Sequence, residues 1–173
     1  MYQLRFLEKK DEKNYLNYIN AWRDETMIPR GASLGDRTFD AFLVYLDQRK
    51  AGNAEAHLVP DHLYVLSDND DHILGVLNLR LQLNDHLLKY DGHIGYGIHP
   101  EYRGQGLGKM IFKLGLEKCF ELGIYQVLLS CNEENGRSRG VILSQGGVFE
   151  NKVYKTDGYI ERYWIDLKKD EKK

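Results

Sequence analysis

The sequence predicts an α/β protein, a mixed twisted sheet with helices on both faces in the element order βααβββαβαββ. Three observations lead there. Apolar residues recur at helical spacing in several stretches, separated by alternating or continuous apolar runs that read as strands. Two turn signals, Asp68-Asn69-Asp70-Asp71 and Asp157-Gly158, each join a pair of such runs. A glycine-rich passage from His99 to Lys109 lies between a strand-like run and an amphipathic helix.

Tyr2 to Leu7 alternates loosely and is expected to form the first strand, ended by the charged run Glu8 to Glu12. Asp11 is the expected N-cap of a first helix carrying Tyr15, Tyr18, Ile19 and Trp22 on one stripe, which must stop before Pro29. Phe39, Phe42, Leu43 and Leu46 mark a second helix, and Gly52 to Pro60 is irregular. His62 to Ser67 and Ile73 to Gln82 pair as a hairpin across the acidic turn, and Gly92 to His99 supplies the next strand. Leu107, Met110, Ile111 and Leu114 trace a third helix that Gly123 ends. Ile124 to Leu129 is a buried strand, Arg137 to Gln145 a fourth helix, and Val148 to Lys155 with Tyr159 to Leu167 a final hairpin.

At 173 residues the chain suits one domain, expected over residues 1–167, with a charged tail at 168–173. Hydrophobic content of 42% and a net charge of -2 fit a globular protein and argue against binding nucleic acid through a general basic field. Met1 to Tyr15 has no apolar signal region, and no stretch is long enough to span a membrane, so a cytoplasmic protein is expected. Cys119 and Cys131 have no metal-ligand spacing and read as reduced thiols, and no metal site is expected.

The glycine-rich passage reads as a phosphate cradle. Gly104, Gly106 and Gly108 can take backbone angles closed to other residues, so main-chain N–H groups can converge on an anion. A helix beginning at Leu107 adds its unsatisfied N–H groups and its positive end, which suits a diphosphate. A Walker loop is excluded because Met110 follows Lys109 where a hydroxyl is needed, and in a dinucleotide fingerprint the third glycine would fall one position later.

Arg103-x-x-Gly106-x-Gly108, placed after a strand ending in Ile98-His99-Pro100, resembles the acyl-coenzyme A site of the GNAT superfamily of N-acetyltransferases. The resemblance runs from about residue 73 to 167, and Asn132, Asn135 and Ser138 match the family's Asn-x-x-Asn-x-x-Ser/Ala signature. It implies the GNAT-type fold and acetyl-coenzyme A as co-substrate, held by Ile98, His99, Arg103, Gly104, Gln105, Gly106, Leu107, Gly108, Lys109, Asn135 and Ser138. It also implies direct transfer of an acetyl group, in a ternary complex, to a primary amine of a small molecule or protein, in a fold whose strand or helix edges often pair as homodimers. The family's usual tyrosine, the acid for the leaving thiol, falls on or beside Ile142, which departs from that pattern. A binding module that keeps the acyl-coenzyme A site without turnover, acting as a sensor or partner-recruiting protein, is the alternative, and a nucleotide-binding protein using the same turn for ATP is a third reading.

Acyl transfer requires a neutral amine. Only about one lysine amine in 2,500 is neutral at pH 7, against about one α-amine in ten, so the need for a base depends on the acceptor. His93 is the candidate base by its ordinary titration range, with a hydrogen-bonded structural role as the competing reading. Strand alternation groups His93 with Gly95 and Gly97, and Tyr96, the second catalytic candidate, with Ile94 and Ile98. Tyr154, Tyr159 and Tyr163 read as strand packing, Lys113 as a phosphate neighbour or a solvated helix residue, and Cys131 as a spectator thiol. Arg80, Asn78, Glu25 and Arg30 are candidates to line the acceptor pocket, for which the first 60 residues hold no recognisable motif.

Overall fold

The computed structural model describes residues 1–168, so all but the first residue of the expected charged tail lies outside the described residues. The chain runs β1 (Gln3–Phe6), α1 (Glu12–Ala21), α2 (Phe39–Lys50), β2 (Asp61–Ser67), β3 (Ile73–Arg80) and β4 (Ile94–Ile98). It continues with α3 (Leu107–Glu121), β5 (Gln126–Asn132), α4 (Gly136–Ser144), β6 (Val148–Lys155) and β7 (Gly158–Asp166), the predicted order.

The strands do not form one continuous mixed sheet. They form two antiparallel sheets, β1-β2-β3-β4 and β5-β7-β6. Among the described residues the main chains of β4 and β5 meet at the base of their seam, where Gly92 bridges Leu129 and the His93 N–H donates to the Leu128 carbonyl at 2.8 Å.

Period-two alternation in β2 and β3 makes two cores, one on each face of the first sheet. Leu63, Val65 and Val76 face α1 and α2, packing with Tyr15, Tyr18, Trp22, Phe39, Phe42 and Leu46. Tyr64, Leu66, Leu77 and Leu79 face the other way, with Ile111, Phe112 and Leu116 of α3. Val127, Leu129, Tyr163 and Ile165 extend this second core into the second sheet, and Ile142 of α4 closes it. No helix among the described residues is long and apolar enough to cross a membrane.

Two local expectations change. Asp11 sits at the start of α1 without capping it by its side chain. Its buried carboxylate instead takes both Arg5 nitrogens at 2.8 Å and the Glu8 N–H at 2.8 Å. Burial alone would raise its pKa, but these donors hold it below the usual carboxylate value. The final hairpin turns one residue earlier than expected, on Thr156 and Asp157, because Tyr154 pairs and packs with Tyr159 and Lys155 pairs with Gly158.

The segment between α1 and α2 crosses the face of β4. Ile28 lays its carbonyl against the Cα of Gly97, where any side chain would collide with it. Arg49 of α2 holds this segment from beneath, donating to the Gly31 carbonyl at 2.7 Å while forking onto Asp61 at 2.9 and 2.6 Å.

Candidate active site

The cleft follows from strand chemistry. In an antiparallel pair, residues bonded to the partner alternate with residues whose main-chain groups point away. The His99 N–H donates to Leu74 and the Arg80 N–H to His93, both at 2.8 Å, which puts 93, 95, 97 and 99 in the bonded set. Ile94, Tyr96 and Ile98 therefore turn their N–H and C=O groups toward β5, which pairs only with β7. An unpaired strand edge buried in a protein calls for a polar partner.

That edge leads into the glycine cradle. Gly104 and Gly106 have φ of +79° and +80°, and a Cβ on either would meet nothing within 4 Å, so their open sides face free space. Gly106 is the N-cap of α3, with no side chain capping the helix. Among the described residues no acceptor engages the N–H groups from Gly104 to Lys109. Uncapped N–H groups at the positive end of a 15-residue helix are the chemistry that an anion such as a diphosphate would meet.

The side chains of the predicted set divide. Gln105 and Lys109 are exposed beside the cradle and Leu107 anchors α3 in the core. Arg103 points elsewhere: it donates to Glu25 at 2.9 Å and lies over the Trp22 ring at 5.0 Å, tying the cradle to the segment after α1. His99 is buried between Tyr18 and Tyr102, and its Nδ1 accepts the Glu101 N–H at 3.2 Å, so its ring shapes the turn. Ile98 offers the cleft its main chain, while its side chain faces Gly75 and α3.

His93 and Tyr96 lie on opposite faces of β4. His93 is buried, and its Nδ1 accepts the Leu128 N–H at 2.9 Å. Burial and, secondarily, the charge of Arg80 depress its pKa to about 4, leaving the ring neutral with its remaining proton on Nε2. Tyr96 packs its ring on Phe112 at 5.9 Å and brings its hydroxyl beside the Ser138 side chain, with Cys131 close by. Burial raises its pKa, so the hydroxyl stays protonated. Asn135 is the N-cap of α4, its side-chain oxygen taking the Ser138 N–H at 3.1 Å. Replacing Asn135 with alanine is expected to lower stability by about 1 kcal/mol, measured by denaturant unfolding, with coenzyme A affinity changed less than threefold.

Sequence reasoning missed a buried network beside α4. Glu161 of β7 is 6% exposed and accepts Arg139 at 2.8 and 3.0 Å and the Tyr163 hydroxyl at 2.5 Å. Its signal was an acidic residue within the final strand's otherwise largely apolar run. Asp68, Asp70 and His72 offer one ligand atom each within 4.8 Å of one another, but Asp68 already binds the Asp70 N–H and the His72 main-chain and ring nitrogens of its own turn.

The comparisons agree with this geometry. The model of the acetyltransferase (GNAT) family matches residues 15–146. The chain belongs to the GNAT family. A candidate [ribosomal protein bS18]-alanine N-acetyltransferase of Bacillus subtilis (strain 168) is 28% identical to this GNAT chain over 98 residues. The match covers 54% of this chain and about 60% of the length of that relative. A chimera of the Vibrio cholerae spermidine N-acetyltransferase SpeG with hSSAT superposes with a TM-score of 0.68 at 17% identity, covering 99% of each chain. The ribosomal-protein-S5-alanine acetyltransferase of Vibrio fischeri gives 0.68 at 17%, covering 96% of this chain and 93% of its own. The fold is thus shared with proteins whose named acceptors differ.

Proposed function

We propose that this GNAT protein transfers an acetyl group from acetyl-coenzyme A to a primary amine by direct attack in a ternary complex. The observation that carries the reading is the unpaired β4 edge running into the open glycine cradle. Main-chain N–H groups of Gly104 to Lys109 hold the diphosphate, and the edge groups of Tyr96 and Ile98 hold the pantetheine arm. Acetyl-coenzyme A supplies the thioester. The chain supplies position and fixed dipoles, with an outward N–H of β4 serving as the donor to the thioester oxygen.

The acid role is assigned to Tyr96. The α4 position expected to carry it is Ile142, 2% exposed and locked in the core, whereas the Tyr96 hydroxyl reaches across to Ser138 one turn earlier on the same helix. A thiolate is an undemanding leaving group, so Tyr96→Phe is expected to lower kcat about tenfold with KM for acetyl-coenzyme A nearly unchanged. Steady-state kinetics with thiol detection measure both; unchanged kcat removes Tyr96 from the mechanism.

Transfer itself is tested by coenzyme A release across an amine panel, alongside calorimetry with acetyl-coenzyme A. Tight binding without release on any amine would favour the sensor reading; no binding would overturn the site. A cytoplasmic location fits, since Cys119 and Cys131 are buried free thiols. Self-association fits as well: one structurally similar spermidine N-acetyltransferase is dodecameric, and β6 leaves one edge of its sheet unpaired here. Sedimentation velocity tests it.

A further inference from the structure

Arg80 ends β3 with its main chain bonded to His93, which brings its side chain to the start of the open strand. Its Nη1 donates to two neutral acceptors, the carbonyls of Gly92 at 3.1 Å and Asp91 at 3.4 Å. The two carboxylates near enough to act on its charge are engaged elsewhere. Asp61 takes the Arg49 fork and the Asn78 amide at 2.6 Å, and Asp91 faces His86 at 3.0 Å and Lys155 at 3.6 Å. Among the described residues, then, Arg80 has no ion-pair partner, although it is partly buried. Burial disfavours its charge and lowers its pKa. A guanidinium is built to receive a two-pronged anion, and leaving one half-desolvated and unpaired is costly.

Its Nη2 borders a spot over the Cα of Gly95. A Cβ on Gly95 would meet only Arg80 Nη2 and Pro29 Cβ, each at 3.7 Å. Two residues along, the equivalent space over Gly97 is filled by the Ile28 carbonyl. The slot over Gly95 is on the β4 face toward the segment between α1 and α2, opposite the face of Tyr96 and α3.

We propose that Arg80 anchors the acceptor by binding a carboxylate on it, so that the substrates are amino carboxylates, amino acids or ω-amino acids, in preference to polyamines. The inference rests on the acetyl-transfer reading above and adds the acceptor class. Asn78 and Glu25, the other acidic or amide candidates for that pocket, are held by Asp61 and Arg103 and take no part in it.

The test uses the whole chain and paired probes: glycine, β-alanine, 4-aminobutyrate and 6-aminohexanoate, each against its carboxamide and against the diamine of the same length. The native protein is expected to show kcat/KM at least tenfold higher for the best carboxylate than for its amide or diamine. In Arg80→Gln the ratio falls to about one, mostly through KM, and Arg80→Lys restores part of it. Gly95→Ala keeps every Arg80 hydrogen bond, fits the space by ordinary contact, and is expected to raise KM for the carboxylate alone. A native ratio near one, a ratio unchanged in both variants, or an equal loss on all amines in Arg80→Gln overturns the anchor while acetyl transfer stands. Calorimetry with the same carboxylates in the presence of coenzyme A separates the two ideas. Binding that Arg80→Gln abolishes, without turnover on any amine, supports the anchor and overturns transfer, whereas neither binding nor turnover overturns both.

Discussion

Replacing Gly106 with valine is expected to weaken acetyl-coenzyme A binding about a hundredfold, roughly 2.7 kcal/mol. The residue has φ +80°, where a β-branched side chain is strained by about 1–3 kcal/mol. Nothing in the protein lies within 4 Å of the new Cβ, so the side chain projects into open space, where the proposed site would hold the diphosphate. Distorting the turn also misdirects two or more N–H donors, each worth about 1.5–3 kcal/mol to a charged acceptor. Strain and lost binding are separable, because Gly123 at the far end of α3 has φ +77° and equally open surroundings. Gly123→Val should show the same fall in melting temperature with coenzyme A affinity unchanged. Calorimetry and thermal melts on both variants measure this, and an affinity for Gly106→Val within threefold of native would place the cofactor elsewhere.

What could be read in the sequence was whatever depends on near neighbours. The order of the eleven helices and strands among the described residues follows from periodicity and turn residues, and of the three motif glycines Gly104 and Gly106 take positive φ before α3 while Gly108 lies inside it. Long-range pairing was less legible. Ile124 to Leu129 reads as a strand buried on both faces, but composition cannot say that it pairs with β7 over Gln126 to Asn132 and meets β4 only through contacts such as the His93 ring on the Leu128 N–H, 35 positions away. Side-chain direction was equally hidden. Arg103 belongs to the cradle motif, yet its charge goes to Glu25, 78 positions away, and Asp11 has the residue type and place of a helix cap but answers Arg5 instead. Tyr96 and Ser138 were each visible as candidates, and only the tertiary fold brings their side chains together.

Substituting His93 with alanine is expected to destabilise the protein by about 3 kcal/mol, more than it slows chemistry per folded molecule. The ring is 7% exposed and its Nδ1 is the acceptor for the Leu128 N–H, so removal leaves a buried donor unpaired, at about 1–3 kcal/mol, and opens a void beside the Gly92–Leu129 bridge between the two sheets. The same bond fixes a pH dependence. In the folded chain the ring titrates at about 4, against 6.5 when unfolded, so between these values the unfolded state binds more protons. Stability from this group is complete above pH 6.5 and is lost as pH falls toward 4, by roughly 3 kcal/mol in all. Protonating the ring replaces an acceptor with a donor facing the Leu128 N–H, and the seam at the base of the cleft must then part. Urea unfolding of native protein and His93→Ala across pH 7 to 4 measures the effect, the native curve being the steeper. A proton acceptor in the reaction needs a free lone pair and a pKa much nearer neutrality than the fold gives this ring, so a variant of native stability with kcat reduced a hundredfold would overturn the structural role and make His93 the base.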